Sequence, residues 1–117
     1  MRRLLLVAGL TLSTACAESV AGGKYSSMTI ALVNEDTQAT NLVIQGDGFK
    51  KGNEVAPGGQ RTVVANYEAG NPLGVEFLAG RGGTVLHRQY CYAMDTERTL
   101  SPRVVWDGTD LRCEHWQ

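Results

Sequence analysis

Hydrophobic and polar residues alternate along most of the chain beyond its first quarter, which is the pattern of strands with one buried face. Met28, Ile30 and Leu32 occupy alternate positions of the first such segment. The segment 73–79 alternates in the same way and directs Glu76 to the side opposite its apolar residues. Because successive side chains of a strand point to opposite faces, each segment predicts a strand that covers a core.

Turn-forming residues separate these segments. Pro57, Gly58 and Gly59 form a strong turn signal, and Asp107-Gly108 suits the centre of a tight hairpin. Two strands are expected in the hairpin of 103–116, and the others cover 27–34, 41–45, 60–67, 73–79 and 84–92. About seven strands and essentially no helix predict an all-β fold. We expect a small antiparallel β-sandwich, Greek-key-like in connection, with a small open barrel as the alternative.

The segment "VAPGGQRTVV" at 55–64 and the strand spacing are similar to bacterial immunoglobulin-like and transthyretin-like sandwich modules. The resemblance concerns architecture only and implies no particular family. Cys91, Trp106 and Cys113 are too close together for the Cys–Trp–Cys spacing of a true immunoglobulin domain.

The N-terminus carries the pattern of an export signal. Arg2 and Arg3 form a positively charged n-region, and an uncharged, mostly apolar run follows from Leu4 to Leu12. A bilayer-spanning helix needs about 20 residues, so this run is too short to cross a membrane but suits a signal-peptide core.

The tetrad Ser13-Thr14-Ala15-Cys16 resembles the lipobox of bacterial lipoproteins, although that family usually has Leu at the position of Ser13. In that family the Cys is lipidated and becomes the mature N-terminus, which implies lipidation at Cys16. The competing interpretation is ordinary secretion, with cleavage at the A-x-A-like stretch from Ala15 to Ala17. An uncleaved chain is the third possibility.

These signals predict three parts of the chain: a signal peptide over 1–15, an anchor site with a flexible tether over 16–27, and a β-sandwich domain over 28–117. The predicted location is the periplasmic side of the envelope, as an outer-membrane or periplasm-facing lipoprotein, or alternatively as a soluble periplasmic or secreted protein. Eleven basic residues less the two in the leader leave nine against twelve acidic ones, a mature net charge of −3. This mildly acidic charge does not favour binding to nucleic acid, which requires a concentrated basic patch.

Two cysteines remain after Cys16 is assigned to the leader or the anchor. Cys91 and Cys113 form an even pair in a chain with an export signal, and thiols outside the cytoplasm are oxidised. A disulfide bond between them is therefore expected, and in the chain-entropy model it would contribute roughly 3 kcal/mol.

A metal site is the alternative use of these cysteines. His87 shares a strand face with Cys91, and His115 shares one with Cys113. If the two strands paired antiparallel, the two imidazoles and two thiolates could converge as zinc ligands, although oxidation of the thiols would compete. His87 and His115 could also form a weak site beside a disulfide. Two unrelated polar positions remain the simpler interpretation, so we expect no cofactor and no metal.

We find no catalytic motif in the sequence, and Asp107 and Asp110 are explained by their position beside a turn. Tyr90 and Tyr92 share the strand face opposite Cys91, so they could form a recognition patch or fill one side of a core. Trp106 and Trp116 also lie in this last third of the chain.

The function expected from these observations is a non-catalytic binding or structural module of the cell envelope. Its partners would be the membrane, through a lipid on Cys16, and an unknown envelope protein or glycan. The alternative is a small periplasmic or secreted inhibitor of an envelope-directed hydrolase, which would act through a rigid loop. "NEDTQAT" at 34–40 and "GRGG" at 80–83 are the candidate loops.

Overall fold

The computed structural model describes residues 24–46 and 49–117. These residues form nine strands packed as two sheets, so the prediction of a β-sandwich is confirmed and the open-barrel alternative is wrong. The strands are β1 Tyr25–Asn34, β2 Thr40–Gly46, β3 Phe49–Lys51, β4 Glu54–Val55, β5 Gln60–Glu68, β6 Leu73–Arg81, β7 Thr84–Ala93, β8 Arg103–Trp106 and β9 Leu111–Glu114. The predicted lipidation site Cys16 and the signal peptide lie outside the described residues.

One sheet has the strand order β5-β1-β8-β9, and the other has β3-β2-β6-β7 with β4 also paired to β2. The chain crosses between the sheets after β1, β4, β5 and β7. All ladders are antiparallel except that of β1 with β8, which is parallel. Two strands more than predicted appear because β3 and β4 are short segments that pair with the ends of β2.

The domain starts earlier than the sequence pattern indicates. β1 begins at Tyr25, which pairs with Glu68 of β5, whereas the sequence predicts the strand from Ser27 and the domain from Met28. Tyr25, Ser26 and Ser27 are all exposed, so they are held by the backbone ladder and show no hydrophobic alternation. The tether predicted over 16–27 therefore overlaps the first strand.

The core lies between the two sheets, and the alternating positions face it as predicted. Ile30 and Leu32 of one sheet and Phe77 of the other are completely buried. Trp116, beyond the last strand, packs edge-on against Phe77 with ring centroids 6.0 Å apart. Its indole N–H donates to the carbonyl oxygen of Arg103 at 3.0 Å, which satisfies the polar end of a buried ring.

Cys91 and Cys113 join the two sheets along one side. Their Sγ atoms are 1.99 Å apart and their Cα atoms 5.7 Å apart, the geometry of a disulfide. Because β7 and β9 are edge strands of different sheets, the crosslink closes this side of the sandwich. In the described part of the chain there is no helix long and apolar enough to cross a membrane.

Candidate functional site

The outer face of the β3-β2-β6-β7 sheet carries a pair of exposed tyrosines. Tyr90 and Tyr92 of β7 are 58% and 42% exposed, and their rings stack with centroids 6.3 Å apart at an interplanar angle of 22°. Residues of even number on β7 point away from the core that Cys91 and Ala93 face. Of the two alternatives left by the sequence, Tyr90 and Tyr92 therefore form a surface patch, whereas Trp106 and Trp116 belong to the core. We call Tyr90 and Tyr92 the tyrosine pair.

A glycine makes room for the tyrosine pair. Gly74 of β6 lies opposite Tyr92 in the ladder, and the hydroxyl of Tyr90 leans across it. A Cβ placed on Gly74 would lie 1.7 Å from the Tyr90 hydroxyl oxygen, so any other residue there would displace the ring. A ring laid over a strand glycine covers backbone that would otherwise meet water.

Polar side chains continue the patch across the sheet. Gln45 of β2, Glu76 of β6 and Tyr90 of β7 lie side by side in the register of the three strands. The amide of Gln45 donates to Oε1 of Glu76, and the guanidinium of Arg88 lies 3.4 Å from Oε2. Both carboxylate oxygens of Glu76 are therefore contacted by neighbouring side chains, and Glu76 lies directly opposite Tyr90 in the ladder.

A cleft opens beside the tyrosine pair because β2 ends its ladder with β6 at Glu76. Residues 73–75 of β6 continue without a described partner on that side. The resulting space of about 870 Å³ is bordered by Gly74, Glu76 and Tyr90, and by Asn66 of the other sheet. The cleft thus offers the rings of Tyr90 and Phe49, the amides of Gln45 and Asn66, the carboxylate of Glu76 and exposed strand backbone.

At the other end of the same face, a shallow depression contains the apolar residues Leu78 and Val85 among polar and charged side chains. Leu78 is only 5% exposed although it points away from the core, and it lies between Val43 of β2 and Arg88 of β7 in the register. Val85, which is exposed, borders the same depression of about 410 Å³. The alternating pattern of 73–79 predicts that Leu78 is exposed. It is buried because side chains of the neighbouring strands β2 and β7 cover it on the outer face of the sheet.

The histidines do not meet as the antiparallel arrangement would require. Nδ1 of His87 accepts the backbone N–H of Leu111 at 3.1 Å, and Cys91 bonds to Cys113. From the first contact to the second, the residue number rises on both strands, from 87 to 91 on β7 and from 111 to 113 on β9. The two strands therefore run in the same direction. His115 therefore lies beyond Cys113, away from His87.

Asp110 supplies the second partner of His87. Its Oδ1 lies 3.3 Å from Nε2, so both ring nitrogens of His87 have partners. Among the residues that the structure describes, no group of three or more His, Cys, Asp or Glu side chains is placed to hold a metal ion. Through its contacts with Leu111 and Asp110, His87 holds the β8–β9 hairpin against β7.

The two candidate inhibitor loops are joined by an ion pair that sequence reasoning missed. Nη2 of Arg81, from "GRGG", donates to Oδ2 of Asp36, from "NEDTQAT", at 2.8 Å, and to the hydroxyl of Thr40 at 2.8 Å. The indole N–H of Trp106 also donates to Oδ2 of Asp36 at 3.2 Å. These contacts link both sheets at one end of the sandwich, and only the presence of opposite charges in the two loops could have indicated them.

Asp36 is held in its charged form. The backbone N–H of Thr37 lowers the pKa of Asp36 most strongly, burial opposes that effect, and Arg81 and Trp106 lower the pKa further. Asp107 behaves similarly in the β8–β9 turn, where the N–H groups of Asp110 and Thr109 lower its pKa. Both carboxylates are thus turn-stabilising groups, which agrees with the structural interpretation of Asp107.

No protein-family model, curated protein or solved structure matches this chain, so the geometry described above is the basis for any functional inference.

Proposed function

We propose that this chain is a non-catalytic binding module of the cell envelope, exported and lipid-anchored at Cys16, and that its ligand is a glycan held by the tyrosine pair. The observation that carries the proposal is the stacked, solvent-exposed pair Tyr90 and Tyr92 at the mouth of a polar cleft. Exposed aromatic rings grouped on one surface are typical of recognition sites.

The chemistry of the cleft favours a sugar over a flat protein surface. A pyranose ring has C–H faces that pack on an aromatic ring and hydroxyl groups around its rim that need hydrogen-bond partners. Tyr90 offers an aromatic face at the cleft, Tyr92 stacks on it outside the lining, and Glu76 and Asn66 offer acceptors and donors within the cleft. A few polar groups beside an apolar wall fix the orientation of a small ligand in this way.

The position of Glu76 favours binding over bond cleavage. Its two carboxylate oxygens already contact Gln45 and Arg88, so the group is oriented and charge-compensated. An oriented carboxylate suits the acceptance of sugar hydroxyl protons in hydrogen bonds, whereas glycoside hydrolysis generally needs a pair of carboxylic groups with divided acid and base roles.

Co-sedimentation with insoluble envelope polysaccharide tests the proposal. The wild-type protein is expected to pellet with the polysaccharide, and the Tyr90→Ala, Tyr92→Ala double variant is expected to stay in solution. Tyr25→Ala is the matched control, because Tyr25 is 68% exposed on the other sheet. Equal pelleting of all three proteins, or of none, would contradict the proposal.

Mass spectrometry of the mature protein tests the anchor separately. A diacyl or triacyl mass on Cys16 as the first residue supports lipid attachment, and a start at Ala17 or later supports soluble secretion. An intact Met1 in a chain recovered from the cytosol would contradict export altogether.

The second candidate function is inhibition of an envelope-directed hydrolase. The Arg81–Asp36 ion pair favours it, because it fixes the two candidate loops to each other before any partner binds. Capture of a hydrolase whose activity falls on binding, with the capture abolished by changes in 80–83, would support this candidate over the glycan.

A further inference from the structure

The outer edge of β5 is an open strand edge. β5 lies at the end of its sheet and pairs only with β1 among the described strands. The backbone N–H of Asn34 donates to the carbonyl of Gly59, and that of Ala69 donates to the carbonyl of Lys24. These two contacts show that the odd-numbered residues of β5 bond to β1, since bonded pairs alternate along an antiparallel ladder.

The backbone groups of the even-numbered residues therefore point away from the sheet. Those residues are Gln60, Thr62, Val64, Asn66 and Glu68. The carbonyl of Glu68 accepts the N–H of Asn71 in the following turn, but the outward groups of the four others have no backbone partner among the described residues. Val64, at the centre, is 58% exposed.

The centre of this edge lacks the features that commonly block strand pairing. β5 is nine residues long and contains no proline, and its two charged residues, Arg61 and Glu68, lie toward its ends. Its register with β1 is continuous from Gln60 to Glu68, without a bulge. Proteins usually protect a long edge with one of these devices, so an unprotected edge indicates a site at which another strand adds.

The sequence of β5 is complementary to itself when reversed about Val64. Val63 and Ala65 both face the core, so odd-numbered residues must lie opposite odd-numbered residues for the two cores to lie on the same side. Among the registers that meet this condition, the one with Val64 on the two-fold axis pairs all nine residues of β5, and it brings Thr62 opposite Asn66 of the partner subunit. Gln60 then lies opposite Glu68 of the partner subunit.

We propose that β5 pairs antiparallel with the β5 of a second copy of this chain, about a two-fold axis at Val64. The pairing satisfies the outward backbone groups, buries the exposed Val64 side chains against each other and joins two four-stranded sheets into one. A second copy fits better than an unrelated peptide because the three kinds of outer-face pair, Gln60–Glu68, Thr62–Asn66 and Val64–Val64, match in polarity. On the core face, Arg61 lies opposite Tyr67 of the partner subunit, where a guanidinium can pack on the ring. The inference does not depend on the tyrosine pair, which lies on the other sheet; Asn66, which borders the cleft, is a residue that the two proposals share.

Sedimentation velocity over a concentration series tests the pairing. The wild-type protein is expected to sediment as a dimer at high concentration and to dissociate on dilution. Val64→Pro removes an N–H that points into the proposed interface and not toward β1, so the variant should keep the monomer fold and weaken the dimer by at least about tenfold. Val64→Thr is the control, since it keeps both the N–H and the branched shape and should still dimerise.

Charge changes at Gln60 test the register. Gln60→Lys places an ammonium opposite Glu68 of the partner subunit and should tighten the dimer by roughly threefold to tenfold, because the pair occurs twice. Gln60→Glu places two carboxylates opposite each other and should weaken it by a similar factor. Circular dichroism checks that each variant is folded.

Two results would overturn the inference. One is a wild-type protein that stays monomeric at the highest soluble concentration. The other is a dimer whose dissociation constant is unchanged in folded Val64→Pro and in both Gln60 variants, which would place the interface elsewhere on the molecule.

Discussion

The hydroxyl oxygen of Tyr90 occupies the space directly above Gly74, where a Cβ would come within 1.7 Å of it. The ring is thereby laid along the sheet, and the ring of Tyr92 stacks on it at 6.3 Å. The missing side chain at Gly74 is therefore what lets the tyrosine pair lie at the mouth of the cleft.

Substitution of Gly74 by alanine should abolish ligand binding without unfolding the protein. The added methyl group forces the end of the Tyr90 side chain, which is free to move in solvent, to swing away. We expect a change in the free energy of unfolding of less than about 1 kcal/mol, because the clash is with the tip of an exposed side chain. Chemical denaturation measures the stability, and NOEs between the two tyrosine rings report the stacking.

Ser27→Ala is the control for the Gly74 experiment, because Ser27 lies on the outer face of the other sheet. It should change neither the ring NOEs nor the co-sedimentation. If Gly74→Ala kept both the stacking and the binding, the role assigned to Gly74 would be wrong.

Loss of the disulfide should lower stability substantially. Cys91 and Cys113 are separated by 22 positions, and opening a loop of this length costs roughly 3 kcal/mol in the chain-entropy model. We expect the Cys91→Ala, Cys113→Ala variant to unfold at a clearly lower denaturant concentration than the oxidised wild type, with a similar dependence on denaturant. Coincident unfolding curves would show that the crosslink does not stabilise this sandwich.

The charge of Asp36 should make stability depend on pH in the acid range. Its pKa is lowered in the folded protein, so the unfolded state binds a proton first as pH falls. The stability from Asp36 is therefore complete above the ordinary pKa of 3.8 and is lost as pH falls through the lowered value. Asp36→Asn should have a lower melting temperature than the wild type at pH 7, with the difference shrinking toward pH 2.

Thr37→Ala provides a control for Asp36, because it keeps the backbone N–H of Thr37, the largest cause of the lowered pKa, and removes only the long 3.5 Å contact of the Thr37 hydroxyl with Oδ1. Its melting temperature should follow the wild-type pH profile in shape. A gap between Asp36→Asn and the wild type that stayed constant from pH 7 to pH 2 would mean that the charge is not the cause.

The strands and the core could be predicted where the local pattern is regular. The segment 73–79 alternates, and the structure buries Val75, Phe77 and Ala79 on one face. Asp107 and Gly108 form the turn of the β8–β9 hairpin, where Gly108 has the positive φ that such a turn needs. In both cases residues close in sequence determine the conformation.

Features that depend on distant pairing could not be predicted. The segment 49–55 is polar and exposed for most of its length, and it becomes β3 and β4 only because β2 offers its edge. The parallel ladder of β1 with β8 and the matching direction of β7 and β9 have no local signal either. The second of these relationships separates His87 from His115, which the alternation of single strands could not show.

Amide chemical-shift mapping with soluble oligosaccharide fragments of the envelope tests whether the tyrosine pair binds a glycan. We expect saturable shifts that cluster at Gly74, Glu76, Tyr90 and Tyr92, and that disappear in the Tyr90→Ala, Tyr92→Ala variant. Shifts confined to the loops 34–40 and 80–83, or no shifts with any fragment, would contradict glycan binding by the tyrosine pair.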